Sequence, residues 1–168
     1  MKIFLIGYMG SGKTHWGKLL AARLELPFFD LDKMISDKET STIADIFSEK
    51  GEEYFRYLEK EVLEELANHH EQFIISCGGG TPCFFNNIRF MKRRGLVIWL
   101  NTQVDVLVER LLKDKNTRPL LKDIPDKELR NYILKKILSR KLYYEQADLT
   151  VHEESITVDT FAQIIANA

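Results

Sequence analysis

The sequence predicts a three-layer α/β fold, a parallel sheet covered by helices on both faces. Three observations predict it. Short apolar runs alternate with stretches of helical periodicity, the pattern of βα units whose parallel strands are joined by helical crossovers. The first apolar run, Ile3 to Ile6, leads directly into Gly7-Tyr8-Met9-Gly10-Ser11-Gly12-Lys13-Thr14, which fits G-x-x-x-x-G-K-[ST] at every fixed position. The length, 168 residues, suits a single domain over 1–168 with a sizeable core.

The elements follow in order. Lys13 to Glu25 is the first helix; Trp16, Leu20 and Leu24 form its buried stripe, and Pro27 ends it. Phe28-Phe29-Asp30 is a short second strand. Asp30-Leu31-Asp32 then falls at the carboxyl edge of the sheet, where open α/β sheets bind ligands. Ser41 to Lys50 reads as a helix with Ser41 or Thr42 at its N-cap and Gly51 as its stop. Glu52 to Asn68 is a longer helix with Phe55, Leu58, Val62 and Leu66 on one face. Phe73 to Cys77 is the third strand and runs into Gly78-Gly79-Gly80. A helix over Phe84 to Arg94 ends at Gly95, and Leu96 to Leu100 is the fourth strand. Thr102 with Asp105 resembles a capping box for a helix reaching Leu112. Lys113 to Asp126 is polar, carries two prolines and lacks periodicity, the character of a mobile lid. Lys127 to Gln146 is a long helix, Leu149 to Val151 a fifth strand, and Thr160 to Ala166 a closing helix.

The glycine-rich loop is a phosphate cradle. Its backbone curls so that successive N–H groups point inward, and the following helix aims its positive dipole end at the same spot. Gly10, Ser11, Gly12, Lys13, Thr14 and His15 are the candidate nucleotide-binding positions, His15 through its backbone N–H alone. Lys13 adds a full charge at the β/γ-phosphates, and the Thr14 hydroxyl is placed to ligate Mg²⁺. With 24 basic and 25 acidic residues, the chain gives no general reason to expect nucleic acid or a membrane as partner. Cys77 and Cys83 lack a metal-ligand pattern and read as free thiols of a reducing cytosol. No signal peptide precedes the first strand and no apolar run approaches transmembrane length, so a cytoplasmic protein is expected.

Other P-loop classes fit poorly. No N-K-x-D guanine motif is present, and no Asp is followed three residues later by Gly. The strand Phe73-Ile74-Ile75-Ser76-Cys77 ends in glycines, without the Walker-B acid of motor and transporter ATPases. Size and the lid-like segment favour a small-molecule kinase.

At this point the chain resembles the shikimate kinase family, of the nucleoside-monophosphate-kinase-like P-loop enzymes. The resemblance rests on Gly7 to Thr14, Asp30-Leu31-Asp32, Gly51-Glu52-Glu53-Tyr54-Phe55-Arg56, Gly78-Gly79-Gly80, Arg118-Pro119-Leu120-Leu121, and Ser139-Arg140 followed by Tyr143-Tyr144 and Ala147. It covers essentially the whole chain. It implies transfer of the ATP γ-phosphoryl group to the 3-hydroxyl of shikimate with Mg²⁺, in chorismate and aromatic amino-acid synthesis. It also implies the strand order 2-3-1-4-5; a monomer is expected.

Residue roles follow from chemistry and resemblance together. Asp32 orients the acceptor hydroxyl or takes its proton, and Asp30 is a candidate Mg²⁺ partner, through water. Arg56 reads by pattern as a solvated surface arginine; the resemblance makes it a ligand of the shikimate carboxylate, with Arg140 as its partner and the Gly79 N–H as a fixed donor. Arg118 is a cation that swings over the triphosphate, with Arg110 as a weaker rival. Cys77 stands where the family often has Thr before the glycines, which removes a possible hydroxyl contact. Tyr143 and Tyr144 read as packing residues, and His69 and His70 need no function. Glu154 to Thr157 is the candidate adenine region. Two other readings stay open: another P-loop kinase, of gluconate or a nucleotide, and a nucleotide-binding module without catalysis.

Overall fold

A computed structural model describes residues 1–118 and 120–168; Pro119 of the Arg118-Pro119-Leu120-Leu121 motif lies outside the described residues. Five strands, β1 (Lys2–Ile6), β2 (Phe28–Asp30), β3 (Phe73–Ser76), β4 (Leu96–Leu100) and β5 (Leu149–Val151), form one sheet. All pairings are parallel and the order is β2-β3-β1-β4-β5, as the resemblance implied. The central strand β1 pairs Leu5 with Ser76 on one side and Ile98 on the other. Ile3 to Ile6 are fully buried, because helices cover both faces and every side chain of the strand meets apolar neighbours.

Strand alternation splits the core into two layers. Phe4, Ile6, Phe73 and Ile75 pack with Leu58, Val62 and Leu63 of α3 (Ile43–His69) and with Tyr144 of α6 (Asp126–Tyr144). Ile3, Leu5, Ile74 and Ile98 pack with Trp16 and Leu20 of α1 (Lys13–Leu24) and Phe161 of α7 (Val158–Ala166). A third cluster joins Tyr8, Leu107 and Leu111 of α5 (Val104–Asp114), Leu121, and Leu129 and Ile133 of α6. Among the described residues no helix is long and apolar enough to cross a membrane.

Several boundaries differ from expectation for local reasons. The sequence reading left residues 31–39 without an element; they form α2 (Leu31–Glu39), whose N-cap is Asp30, accepting from the Lys33 N–H at 3.3 Å. The two helices expected on either side of Gly51 are both present within α3, which breaks at Gly51 with φ 82° and ψ 169°. Thr42 caps its start. The helix expected from Phe84 begins later, as α4 (Asn87–Arg94). A 3₁₀ turn at Thr81–Cys83 comes first, and Phe85 (φ 49°) and Asn86 (φ 58°) are left-handed, so the helix cannot extend back through them. The Thr102–Asp105 capping box does not form. Gln103 is the N-cap of α5, and the Thr102 hydroxyl turns instead to the Ser11 carbonyl at 3.3 Å. Within the 113–126 segment, α5 continues to Asp114 and Leu121 is fully buried in the third cluster.

Candidate active site

The site is built at the carboxyl ends of β1, β2 and β3. Gly12, left-handed at φ 85°, ends the phosphate loop and begins α1 without a side-chain cap, so the first N–H groups of that helix stay available to an anion. Lys13 lies beneath the loop, 8% exposed, and its ammonium donates to the Gly7 and Tyr8 carbonyls at 2.9 Å each. Burial lowers its pKa to about 8, against the opposing pull of Asp32. Ser11 is buried, while Thr14 and His15 are exposed; the His15 ring lies edge-on to Trp16.

The Thr14 hydroxyl donates to Asp30 at 2.7 Å and lies 3.4 Å from the Ser76 hydroxyl. These are hard oxygen donors of the type Mg²⁺ accepts, and they are few, which suits an ion that takes its remaining ligands from phosphates and water. Among the described residues there is no cluster of three His, Cys, Asp or Glu that would hold a metal by itself.

A cavity of about 550 Å³ lies over this loop, lined by Lys13, Thr14, Asp30, Asp32 and Arg118. A second, of about 250 Å³, lies beside it and is lined by Asp32, Arg56, Gly79, Arg118 and Arg140. Asp32 and Arg118 belong to both. Asp32 stands in the first turn of α2 and is open to the cavity, yet hemmed in by protein. That crowding, followed by the charge of Asp30, raises its carboxyl above its ordinary pKa. The Arg118 Nε is buried and has no hydrogen-bond partner among the described residues.

Arg56 departs most from its sequence pattern. It is 7% exposed, not a solvated surface residue. Its Nη1 donates to Glu59 Oε2 at 2.9 Å, its Nη2 and Nε reach Glu52 Oε1 at 3.2 and 3.3 Å, and its plane lies over the Phe84 ring at 4.4 Å. Glu59 is fully buried and also accepts from the Thr81 hydroxyl at 2.5 Å. The three glycines make room for these groups. A Cβ on Gly78 would lie 2.6 Å from a Glu59 oxygen, and one on Gly80 2.6 Å from the Arg56 guanidinium. Gly79 faces Arg140, whose guanidinium lies over the Tyr8 ring at 5.6 Å. The Tyr144 hydroxyl donates to the Gly79 carbonyl at 2.6 Å, fixing the glycine turn from behind.

The structure therefore brings together Gly10 to Thr14, Asp30, Asp32, Arg56, Gly79, Arg118 and Arg140 around two adjoining cavities. Arg110 also reaches the loop, donating to the Gly10 carbonyl at 3.0 Å. Cys77 turns its thiol to the Met91 sulfur at 3.7 Å within the core. His69 and His70 line neither cavity, and Tyr143 is on the surface. Sequence reasoning missed Glu59, Ser76 and the role of the Tyr144 hydroxyl. Glu59 had a signal: it sits three residues after Arg56, between the buried positions Leu58 and Val62.

Comparison with known proteins identifies the family. The shikimate kinase family model matches residues 9–168. A shikimate kinase of Azobacteroides pseudotrichonymphae is 41% identical over 158 residues, 94% of this chain and 93% of the relative. The crystal structure of shikimate kinase from Bacteroides thetaiotaomicron superimposes with TM-score 0.90 at 38% identity, covering 99% of this chain and 97% of that one. Shikimate kinase from Acinetobacter baumannii, solved in complex with shikimate, gives TM-score 0.87 at 35% identity, covering 99% of this chain and 90% of that one. With the family model spanning all but the first strand and start of the loop, and with relatives matched over nearly their full length, the chain belongs to the shikimate kinase family.

Proposed function

We propose that this chain carries out the reaction of its family, ATP-dependent phosphorylation of the shikimate 3-hydroxyl to shikimate 3-phosphate, supplying chorismate and aromatic amino-acid synthesis. One observation carries the residue assignment: the phosphate-loop cavity and the arginine-lined cavity meet at Asp32 and Arg118. Phosphoryl transfer needs donor and acceptor in line, with charge stabilised between them.

In this reading Gly10 to His15 hold the ATP phosphates through backbone N–H groups, and Lys13 leaves its carbonyl partners to meet the β/γ-oxygens. Thr14 and Asp30 are the residues that would hold Mg²⁺. When bound, the ion neutralises charge on the phosphates. Asp32 accepts a hydrogen bond from the acceptor hydroxyl, orients it and takes its proton, which a raised carboxyl pKa favours. Arg118, already buried at its Nε without a partner among the described residues, donates to the transferring group.

Shikimate is held by its carboxylate. Arg56 uses three of its N–H donors on Glu52 and Glu59. A guanidinium has five, so two remain for the ligand in an orientation fixed by the glutamates. Arg140 and the Gly79 N–H complete the site. In this reading one chain supplies every residue assigned above, and the free thiols Cys77 and Cys83 suit a reducing compartment such as the cytoplasm. A coupled ADP-release assay with shikimate, quinate and gluconate tests the proposal: turnover with shikimate and none with gluconate is the expected result, and the reverse preference would overturn it.

A further inference from the structure

The two arginines of the second cavity are held in different ways. Arg56 is aimed by two carboxylates, Glu52 and Glu59. Arg140 of α6 forms no ion pair with a carboxylate among the described residues; the titratable groups that bear on it most are Tyr144, Cys83 and Tyr8. All three are neutral at physiological pH, because burial pushes Tyr8 up to about 12 and Cys83 to about 11 and raises Tyr144 as well. The Arg140 guanidinium lies 5.6 Å from the centre of the Tyr8 ring. Tyr8 is enclosed by Leu107 and Leu111 of α5 and by Leu129 and Ile133 of α6, and it lines neither cavity. Its hydroxyl is buried and has no hydrogen-bond partner among the described residues.

A carboxylate beside Arg140 would aim it, but would also neutralise it and compete with an incoming carboxylate for the same fork. An aromatic face avoids both effects. It attracts the cation through the ring quadrupole and leaves the in-plane N–H donors free. The apolar packing around Tyr8 fixes the ring, so it is a rigid seat. Its hydroxyl makes no hydrogen bond that could serve instead, so what Tyr8 offers Arg140 is the ring. We propose that Tyr8 is a positioning residue for the acceptor: its ring seats the Arg140 guanidinium where the fork meets the acceptor carboxylate, without Tyr8 touching either substrate. This rests on the reading of Arg140 as a carboxylate ligand. One residue of the phosphate loop then serves both halves of the site, its carbonyl holding Lys13 at 2.9 Å and its side chain holding Arg140.

The test is steady-state kinetics at saturating ATP for wild type, Tyr8→Phe, Tyr8→Leu, Arg140→Ala and the double variant Tyr8→Leu with Arg140→Ala. ATP binding is measured separately by calorimetry. Tyr8→Leu is expected to raise KM for shikimate about tenfold, the size of one partly desolvated cation–π contact, with kcat and ATP affinity changed less than about twofold. Tyr8→Phe keeps the ring and should stay near wild type. In the Arg140→Ala background Tyr8→Leu should add no further loss, because the group it seats is gone. If Tyr8→Leu folds poorly, phenylalanines of increasing ring fluorination in place of Tyr8 make the same test at nearly constant volume. KM for shikimate should climb with each fluorine, which drains the negative face of the ring. An unchanged KM, a loss confined to kcat or ATP binding, a Tyr8→Phe loss as large as that of Tyr8→Leu, or a flat response to fluorination overturns the proposal. So does an equal Tyr8→Leu penalty with and without Arg140, which would make the ring a structural strut while Arg140 keeps its role. An Arg140→Ala variant with an unchanged KM for shikimate overturns both this proposal and the carboxylate reading.

Discussion

Arg56 and Glu59, one helical turn apart on α3, form a buried ion pair at 2.9 Å, with the glutamate fully enclosed and the arginine 7% exposed. Burial raises the Glu59 carboxyl above its ordinary pKa, and Arg56 opposes that shift. The pair explains how an arginine that reads as surface charge becomes a fixed, buried lining of the arginine-rich cavity. Glu59→Gln is expected to keep ATP binding unchanged and to raise KM for shikimate, because the amide is uncharged and offers one acceptor oxygen where the carboxylate offers separate ones to Arg56 and Thr81. Steady-state kinetics in each substrate separately checks this; a change confined to ATP would contradict it.

Lys13→Met should leave a folded protein by circular dichroism and lower kcat by several orders of magnitude, since in the proposed reaction Lys13 meets oxygens whose charge shifts during transfer. The buried ammonium also has a pH signature. Its pKa is lowered to about 8, so the free enzyme loses this charge as pH rises through that value. The kcat/KM for ATP, which reports groups of the free enzyme, should therefore fall above about pH 8. Any activity of Lys13→Arg should lack this limb. A wild-type profile flat to pH 10 would contradict the assignment.

Asp32→Asn removes charge and basicity while keeping size. A large fall in kcat with ATP affinity little changed is expected. Stability should move the other way. The Asp32 pKa is raised in the native state, so the folded protein holds this proton more readily than the unfolded chain. Its ionisation therefore costs stability as pH rises through and above the ordinary value of 3.8. Thermal melts should show the variant more stable than wild type at neutral pH, the difference closing below the ordinary carboxylate range. A variant less stable at neutral pH would contradict this.

Much of this was legible beforehand because the informative signals are local. The phosphate loop is a contiguous motif, and β1, β2, β4 and β5 are short apolar runs that match their observed bounds except at Lys2. What was hidden depended on contacts between distant segments. α2 carries only Leu31 and Ile35 as buried positions among charged residues, so its periodicity is faint. Thr102 resembled a cap by spacing, but the phosphate loop, 91 residues away, takes its hydroxyl. Arg56 and Glu59 lie in a run that alternates charge with leucine; only the fold of Phe84 and Thr81 over them shows that they are enclosed.

The segment Lys113 to Asp126 combines an anchor and an exposed flank: Leu121 is fully buried, whereas Leu120 is 51% exposed. Chymotryptic cleavage near Leu120 is expected without ligand and should slow with shikimate plus a non-hydrolysable ATP analogue, as Arg118 draws the segment over both cavities. Equal rates in both states would contradict a closing lid.

The central claim is that Arg56 and Arg140 recognise a carboxylate on the acceptor. The most direct measurement is kcat/KM of wild type, Arg56→Ala and Arg140→Ala with shikimate and with its uncharged amide. Removing either guanidinium should cost about 2–5 kcal/mol with shikimate, the range for breaking a desolvated charge pair. That is roughly 30-fold to several thousand-fold in kcat/KM. Arg56→Ala should in addition destabilise the protein by about 3–5 kcal/mol, because Glu59 is left buried and unpaired, so its assays belong well below its melting temperature. The account predicts a much smaller penalty with the amide for both variants and little change in ATP binding. Equal penalties on acid and amide would contradict it.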